Sequence, residues 1–236
     1  MHLTKDKKNN ASLLLMFIFA LLLLLSSLFA FIKESAPFFS GRISPETRFE
    51  HFEMAQEVKI GLSIYAHQLE LNDCLEALAE PFGMAQPISR RMKVFSSCQT
   101  LSMDIVKSSP LYSYAWFIAA FSSVHLGQYE DFNYQLEQSQ NTAPNEQWLA
   151  ELRANLAENN LTNLSPAAIK GQERDLILLV KSKRGVVSIA RRYVNDPSFR
   201  KRIIALVETL PESQQAKFIN NVRAAANNIP QRRGQQ

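Results

Sequence analysis

Between Ala11 and Ile32 the chain runs for 22 residues without one charged side chain, and Leu21 to Leu25 is an unbroken leucine run. At 1.5 Å rise per residue such a helix reaches roughly 33 Å, enough to cross the hydrocarbon core of a bilayer once. Lys5, Lys7 and Lys8 against Asp6 precede the run, and Lys33 with Glu34 follows it. The more basic short flank stays in the cytoplasm by the positive-inside rule, which predicts a single-pass protein with its C-terminal part outside. A cleaved signal peptide shares the basic start but needs a shorter apolar run and small residues before the cut. Cutting after Ala30 leaves Leu28 two residues earlier, and cutting after Ala36 puts Pro37 directly beyond the bond. The sequence thus predicts a basic tail at 1–10, an uncleaved transmembrane helix at 11–32 and a linker at 33–43.

What remains is long enough for one globular domain with a sizeable core. Ten prolines, seven glycines and two cysteines in 236 residues exclude collagen-like, low-complexity and disulfide-dense chains. No stretch alternates apolar and polar residues long enough for a strand, whereas helical periodicity recurs, so the domain reads as all-α. Ser44 before Pro45 is an N-cap with proline at the first helical position. It predicts a helix whose Phe49, Phe52, Ala55, Val58, Leu62, Tyr65 and Leu69 share a face. Asn72 and Asp73 then predict a restart into a short helix holding Cys74, Leu75 and Leu78. Pro81, Gly83 and Pro87 force a break before Ser89 caps the next helix. Pro110, Gly127, Pro144, Pro166, Pro197 and Pro211 cut the rest into helix-length segments, and Ser165-Pro166 and Asp196-Pro197 repeat the N-cap signature. From residue 228 the tail reads as flexible.

The net charge of +4 hides a division. Residues 33–164 hold 9 Lys and Arg against 16 Asp and Glu, whereas residues 165–236 hold 14 against 5. Such asymmetry predicts either two faces that attract each other or a basic surface for an acidic partner, for which anionic lipid or an acidic polysaccharide fits an envelope location. Arg191 with Arg192, and Arg200, Lys201 and Arg202, are the densest clusters. They lack the interleaved aromatics of a single-strand binder, and no nucleic acid is expected. Cys74 and Cys98, an even pair in a domain predicted to lie outside the cytoplasm, are expected to form a disulfide. Closing so short a loop contributes about 3 kcal/mol in the chain-entropy view. Two buried free thiols are the alternative, and metal-ligand spacing is absent.

Pro110 and Pro144 stand 34 residues apart, each ahead of a tryptophan-bearing apolar helix, and 34 is the tetratricopeptide period. From Ser113 onward, Trp116, Gly127 and Tyr129, Leu136, Ser139, then Pro144 and Asn145 each stand where that pattern places their residue type. The stretch resembles a tetratricopeptide (TPR) repeat. Ala119 and Ala120 replace the usual Leu-Gly pair, and Phe132 fills a position normally small. The likeness implies TPR-like stacked helix hairpins, an α-solenoid, over 44–164, with a basic helical array at 165–227 packing on them. It implies that Trp116, Tyr129 and Trp148 are core, since each pair buries its apolar stripe only against its neighbours. Carried over residue by residue, it places Tyr114, Phe117, Phe121, Val124 and His125 on the concave side, as a groove that either holds a partner or is covered by another helix. In its layout of basic tail, single anchor and short repeat domain, the chain also resembles bacterial inner-membrane proteins associated with exopolysaccharide production.

A catalytic reading needs a constellation, and there is no phosphate-binding loop, dinucleotide fingerprint, H-E-x-x-H or G-x-S-x-G motif. No catalytic, cofactor-binding or metal-ligating residue is singled out, and no cofactor is expected. The leading expectation is a non-enzymatic adaptor or scaffold. It is anchored in the bacterial inner membrane with its domain in the periplasm, and it organises protein partners, with polysaccharide assembly as the implied setting. A structural subunit of a membrane complex, or an enzyme whose site forms only across helices, are the alternatives.

Overall fold

The computed structural model describes residues 3–35, 38, 44–54 and 60–228, with side chains from residue 12 onward. Every regular element among them is helical: α1 Leu3–Ser35, α2 Pro45–Met54, α3 Ile64–Ala79, α4 Pro81–Met84, α5 Ile88–Ser108, α6 Ser113–His125, α7 Tyr129–Thr142, α8 Gln147–Glu158, α9 Pro166–Lys181, α10 Gly185–Asn195, α11 Pro197–Val207 and α12 Glu212–Asn227, with a 3-10 turn at Leu161–Asn163. The all-α expectation therefore holds. Ser12–Ser35 of α1 is long and apolar enough to cross a membrane, and its side chains from Leu13 to Ile32 are turned away from the rest of the protein.

The chain divides into two compact units, Met1–Ser97 and Cys98–Gln236, so that residues 98–164 and 165–227 belong to one unit. The division falls within α5. In the first unit, Ser44 caps α2 as the sequence predicts: its hydroxyl accepts from the Thr47 N–H at 3.2 Å, and the Thr47 hydroxyl accepts from the Ser44 N–H at 3.3 Å. Beyond Met54 the expected single helix to Leu69 gives way to two. Ala55 and Val58 lie outside the described residues. Ser63, not Asn72 or Asp73, starts α3 by accepting from the Ala66 N–H at 3.1 Å, and α3 continues unbroken through Cys74 and Leu78. Leu62 and Tyr65, expected on the buried face, are exposed as a result. Phe49 and Phe52 of α2 and Leu71 and Leu78 of α3 are buried. Gly83 lets α4 fold back on α3, since a Cβ there would lie 1.9 Å from the Ala77 carbonyl oxygen.

In the second unit α6 packs on α7 and α8 on α9, while α10 packs on α12 and on α9. Gly127 makes the tight turn between α6 and α7 at φ +75°, a left-handed conformation that costs residues with a Cβ about 1–2 kcal/mol. Both later N-caps are as expected: Ser165 accepts from the Ala168 N–H, and Asp196 accepts from the N–H groups of Ser198 and Phe199. Leu176, Leu179, Val186, Ile189, Phe199, Ile203 and Phe218 make one apolar core for α9 to α12. The expected flexible tail lies, from residue 229, outside the described residues.

Candidate functional site

Helix α6 carries an aromatic ladder at helical spacing. The rings of Tyr114 and Phe117 stack at 6.2 Å, Phe117 and Phe121 at 6.4 Å, and Phe121 meets His125 at 4.7 Å. Tyr114 also receives Trp148 edge-on at 5.2 Å. These are four of the five predicted groove residues, with Val124 the fifth. Tyr114, Phe117 and Val124 are buried, Phe121 is half-buried and His125 is exposed. A partner can reach only the Phe121–His125 end without moving the chain. His125 Nδ1 lies 2.7 Å from the Phe121 carbonyl oxygen, so this end is fixed locally. Tyr112, next to the ladder, has its phenol pushed up to about 12 by burial and by the charge of Glu146.

Trp116 is buried, donates its indole N–H to the Pro110 carbonyl at 2.8 Å and meets Tyr134 edge-on. Tyr129 and Trp148, expected as core beside it, are instead 47% and 48% exposed. Helix α6, by contrast, has eleven of its thirteen residues buried.

The polar feature that organises the second unit is one that periodicity conceals. Arg153 of α8 and Asp175 of α9, each 1% exposed in the side chain, form a bidentate pair: Nε to Oδ2 and Nη2 to Oδ1, both at 2.7 Å. The guanidinium also donates to the carbonyls of Ser139 at 3.1 Å and Ala143 at 3.3 Å at the end of α7, the first of which already accepts from the Ala143 N–H. The Ser113 hydroxyl donates to the same Ser139 carbonyl, which brings α6 into the network. Burial pushes the Asp175 carboxyl up from its ordinary range, while Arg153 and Gln140 pull it down. The signal was present in the sequence: Arg153 stands among Ala150, Ala154 and Ala157, and Asp175 beside Leu176, Leu179 and Val180. Both sit where a helical wheel places the apolar stripe.

The predicted basic surface is largely engaged by its own chain. Arg192 bonds Asn159 at 3.0 Å, pairs with Asp196 at 3.5 Å and lies over the Phe199 ring. Arg200 donates to the carbonyls of Tyr193 and Val194, both at 2.9 Å, closing the end of α10. Arg202 pairs with Glu158 and donates to the Ser198 carbonyl. Arg191 and Lys201 are exposed. Cys74 and Cys98 are both disulfide-bonded, and no cysteine is free.

Arg202 and Glu158 also sit on the wall of a recess of about 440 Å³ between α8, α9 and α11. Its apolar walls are Leu161, Ile169, Leu176 and Leu206. Its polar side is the Glu158 carboxylate, 1% exposed, which accepts from both the Gln172 amide and the Arg202 guanidinium. Recesses of this size with apolar walls and a few fixed polar groups take amino-acid side chains or small molecules. The ladder has no part in this recess, and of the Arg clusters only Arg202 lies on it, because its lining forms only where three helices meet. Among the described residues no three His, Cys, Asp or Glu side chains converge as metal ligands. Comparison with known proteins gives no matching family, no matching curated protein and no matching solved structure.

Proposed function

We propose that the chain is a membrane-tethered helical adaptor of the bacterial inner membrane, with its N-terminus cytoplasmic and its helical domain in the periplasm. There it holds a protein partner, and the exopolysaccharide-associated layout gives the setting. TPR-like stacking of α6 to α9 is part of this reading, with α10 to α12 covering the end of the stack. The observation that carries it is the recess between α8, α9 and α11, whose apolar walls surround a carboxylate and guanidinium already paired. Paired charges held among apolar walls give a partner a fixed orientation.

The test uses the full chain in native membranes with a photo-crosslinking residue at Ile169, which lines the recess, and at Asn141, which does not. A discrete protein adduct from Ile169 and none from Asn141 is the expected result, while no adduct from Ile169 rejects the adaptor reading. A structural subunit is the second reading, favoured by the burial of Tyr114, Phe117 and Val124, and an adduct at both positions alike would support it. An alkaline phosphatase fused after Asn227 should be active, and inactivity would reverse the orientation.

A further inference from the structure

The last turn of α1 is bonded to the N-cap of α3, Ser63, and to the residue before it. Glu34 accepts from the N–H groups of Leu62 and Ser63, both at 3.1 Å, and from the Ser63 hydroxyl. The stretch that follows is unusually apolar for an exposed surface. Leu62 is 59% exposed, Ile64 58% and Tyr65 60%, and the ring of Phe38, 53% exposed, stacks on Tyr65 at 5.8 Å. Single exposed apolar residues need no explanation, but four in one place do.

Their distance from the membrane follows from the helix itself. Glu34 stands two residues beyond Ile32, roughly 3 Å further along the axis. Each headgroup layer is roughly 5–7 Å thick, the difference between a hydrocarbon core of about 30 Å and a full bilayer. A group hydrogen-bonded to Glu34 therefore lies in that layer. Lys33, whose ammonium lies 6.0 Å from the centre of the Phe29 ring, is placed to reach anionic headgroups there. Aromatic and aliphatic side chains flanking a span are stable at this depth, where their apolar bodies leave water while polar tips stay hydrated.

We infer that Leu62, Ile64, Tyr65 and Phe38 form a membrane-docking patch that inserts into the lipid interface beside the anchor. The first unit is then fixed to the bilayer at two places, the span and the patch, and the Glu34 bonds join them. The inference rests on α1 spanning the membrane.

The experiment places an environment-sensitive fluorophore on full-length Leu62→Cys, Tyr65→Cys, Leu22→Cys and Asn141→Cys proteins. Labelling without reductant leaves the Cys74 and Cys98 thiols blocked. Each protein is reconstituted in phosphatidylcholine and phosphatidylglycerol vesicles, with and without lipids carrying a nitroxide high on the acyl chain. The probes at 62 and 65 are expected to lose about half their emission, as for side chains buried roughly 5–10 Å into the headgroup and acyl boundary, and the probe at 141 none. Quenching at 22 with none at 62 and 65 overturns the patch, leaving it facing water or a protein. No quenching at 22 overturns the spanning reading itself, and the patch with it. A Glu34→Gln protein should keep the quenching at 22 and lose part of it at 62.

Discussion

In each unit an arginine with several partners joins helices, Arg48 in the first and Arg153 in the second, and the two work under different physics. Arg48 of α2, 11% exposed, fans onto Asp73 at 3.3 Å, Glu76 at 3.2 Å and Glu80 at 2.8 Å, acids that are themselves 22%, 51% and 32% exposed. Arg153 of α8 has one carboxylate and two backbone carbonyls, all without access to water. The wet fan gains little from any one pair, because water competes for each charge and the acids can re-solvate if the arginine leaves. The dry pair gains little net energy over apolar residues of the same shape, yet it is costly to break, because the abandoned partner has no solvent to turn to. Equal numbers of contacts thus do not mean equal stakes.

The largest effect expected from this contrast is in the second unit. Arg153→Met leaves the buried Asp175 carboxylate without its charge partner and removes the side-chain donor to the Ala143 carbonyl, and should cost about 3–5 kcal/mol in denaturant unfolding of the full chain in detergent. Arg153→Met with Asp175→Leu should recover most of that loss, since no buried charge then remains. A double variant as unstable as the single one would mean that the carbonyl contacts, not the charge pair, hold α7 to α8.

Apolar damage in the same unit gives the reference. Trp116→Ala and Phe117→Ala each remove a buried ring and should each cost about 3–5 kcal/mol as cavity mutants. No partner substitution rescues either, which separates packing loss from charge loss. Phe121→Ala, half-buried at the open end of the ladder, should cost clearly less. Equal losses at 117 and 121 would place the whole ladder in the core.

In the first unit Arg48→Met should cost only about 1 kcal/mol, the scale of partly solvated pairs. Hydrogen exchange of the α2 and α3 amides is the suitable measurement, because it reports on that unit alone. A loss as large as that of Arg153→Met would show that the three acids are held apart by the fold and repel one another once the arginine has gone.

The same contrast explains what could be read from the chain. Caps and breaks are local chemistry, so Ser44, Ser165, Asp196 and Gly127 announced their turns. The long apolar helix α1 was legible because a run without charge has few alternatives. The division of the expected 45–69 helix was not, because Ser63 differs from any other serine only in what its hydroxyl meets. Tyr129 fits the repeat pattern and Trp148 stands two residues out of its phase, yet both are exposed, because burial depends on which helices pack around a ring and one segment does not display that. Arg200 and Arg202 looked like a surface patch since charge counts do not record that Tyr193, Val194 and Glu158 stand within reach. The recess needs α8, α9 and α11 side by side, which is knowledge of packing rather than of sequence.

The smallest effect is one of pH, and it differs in sign between the units. Glu53 of α2 accepts from Arg90 Nε at 2.9 Å through both oxygens, and Arg90, by hydrogen bond and then by charge, holds its carboxyl below the ordinary range. An unfolded glutamate titrates near about 4.3, so the unfolded chain takes up its proton first as the solution is acidified. The contribution of Glu53 is therefore complete above that value and is lost as the pH falls through the lower folded pKa. Asp175 slopes the other way, because its folded pKa is raised by burial: its contribution is complete below the unfolded aspartate value of about 3.9 and declines as the pH rises through the folded one. Protection of the α2 amides, corrected for the intrinsic exchange rate, should fall as the pH drops below about 4.3, and Glu53→Gln should flatten that part of the dependence while leaving α8 and α9 unchanged. An equal loss of protection in α2 with and without Glu53 would show that the Glu53–Arg90 pair does not set the acid sensitivity of that helix.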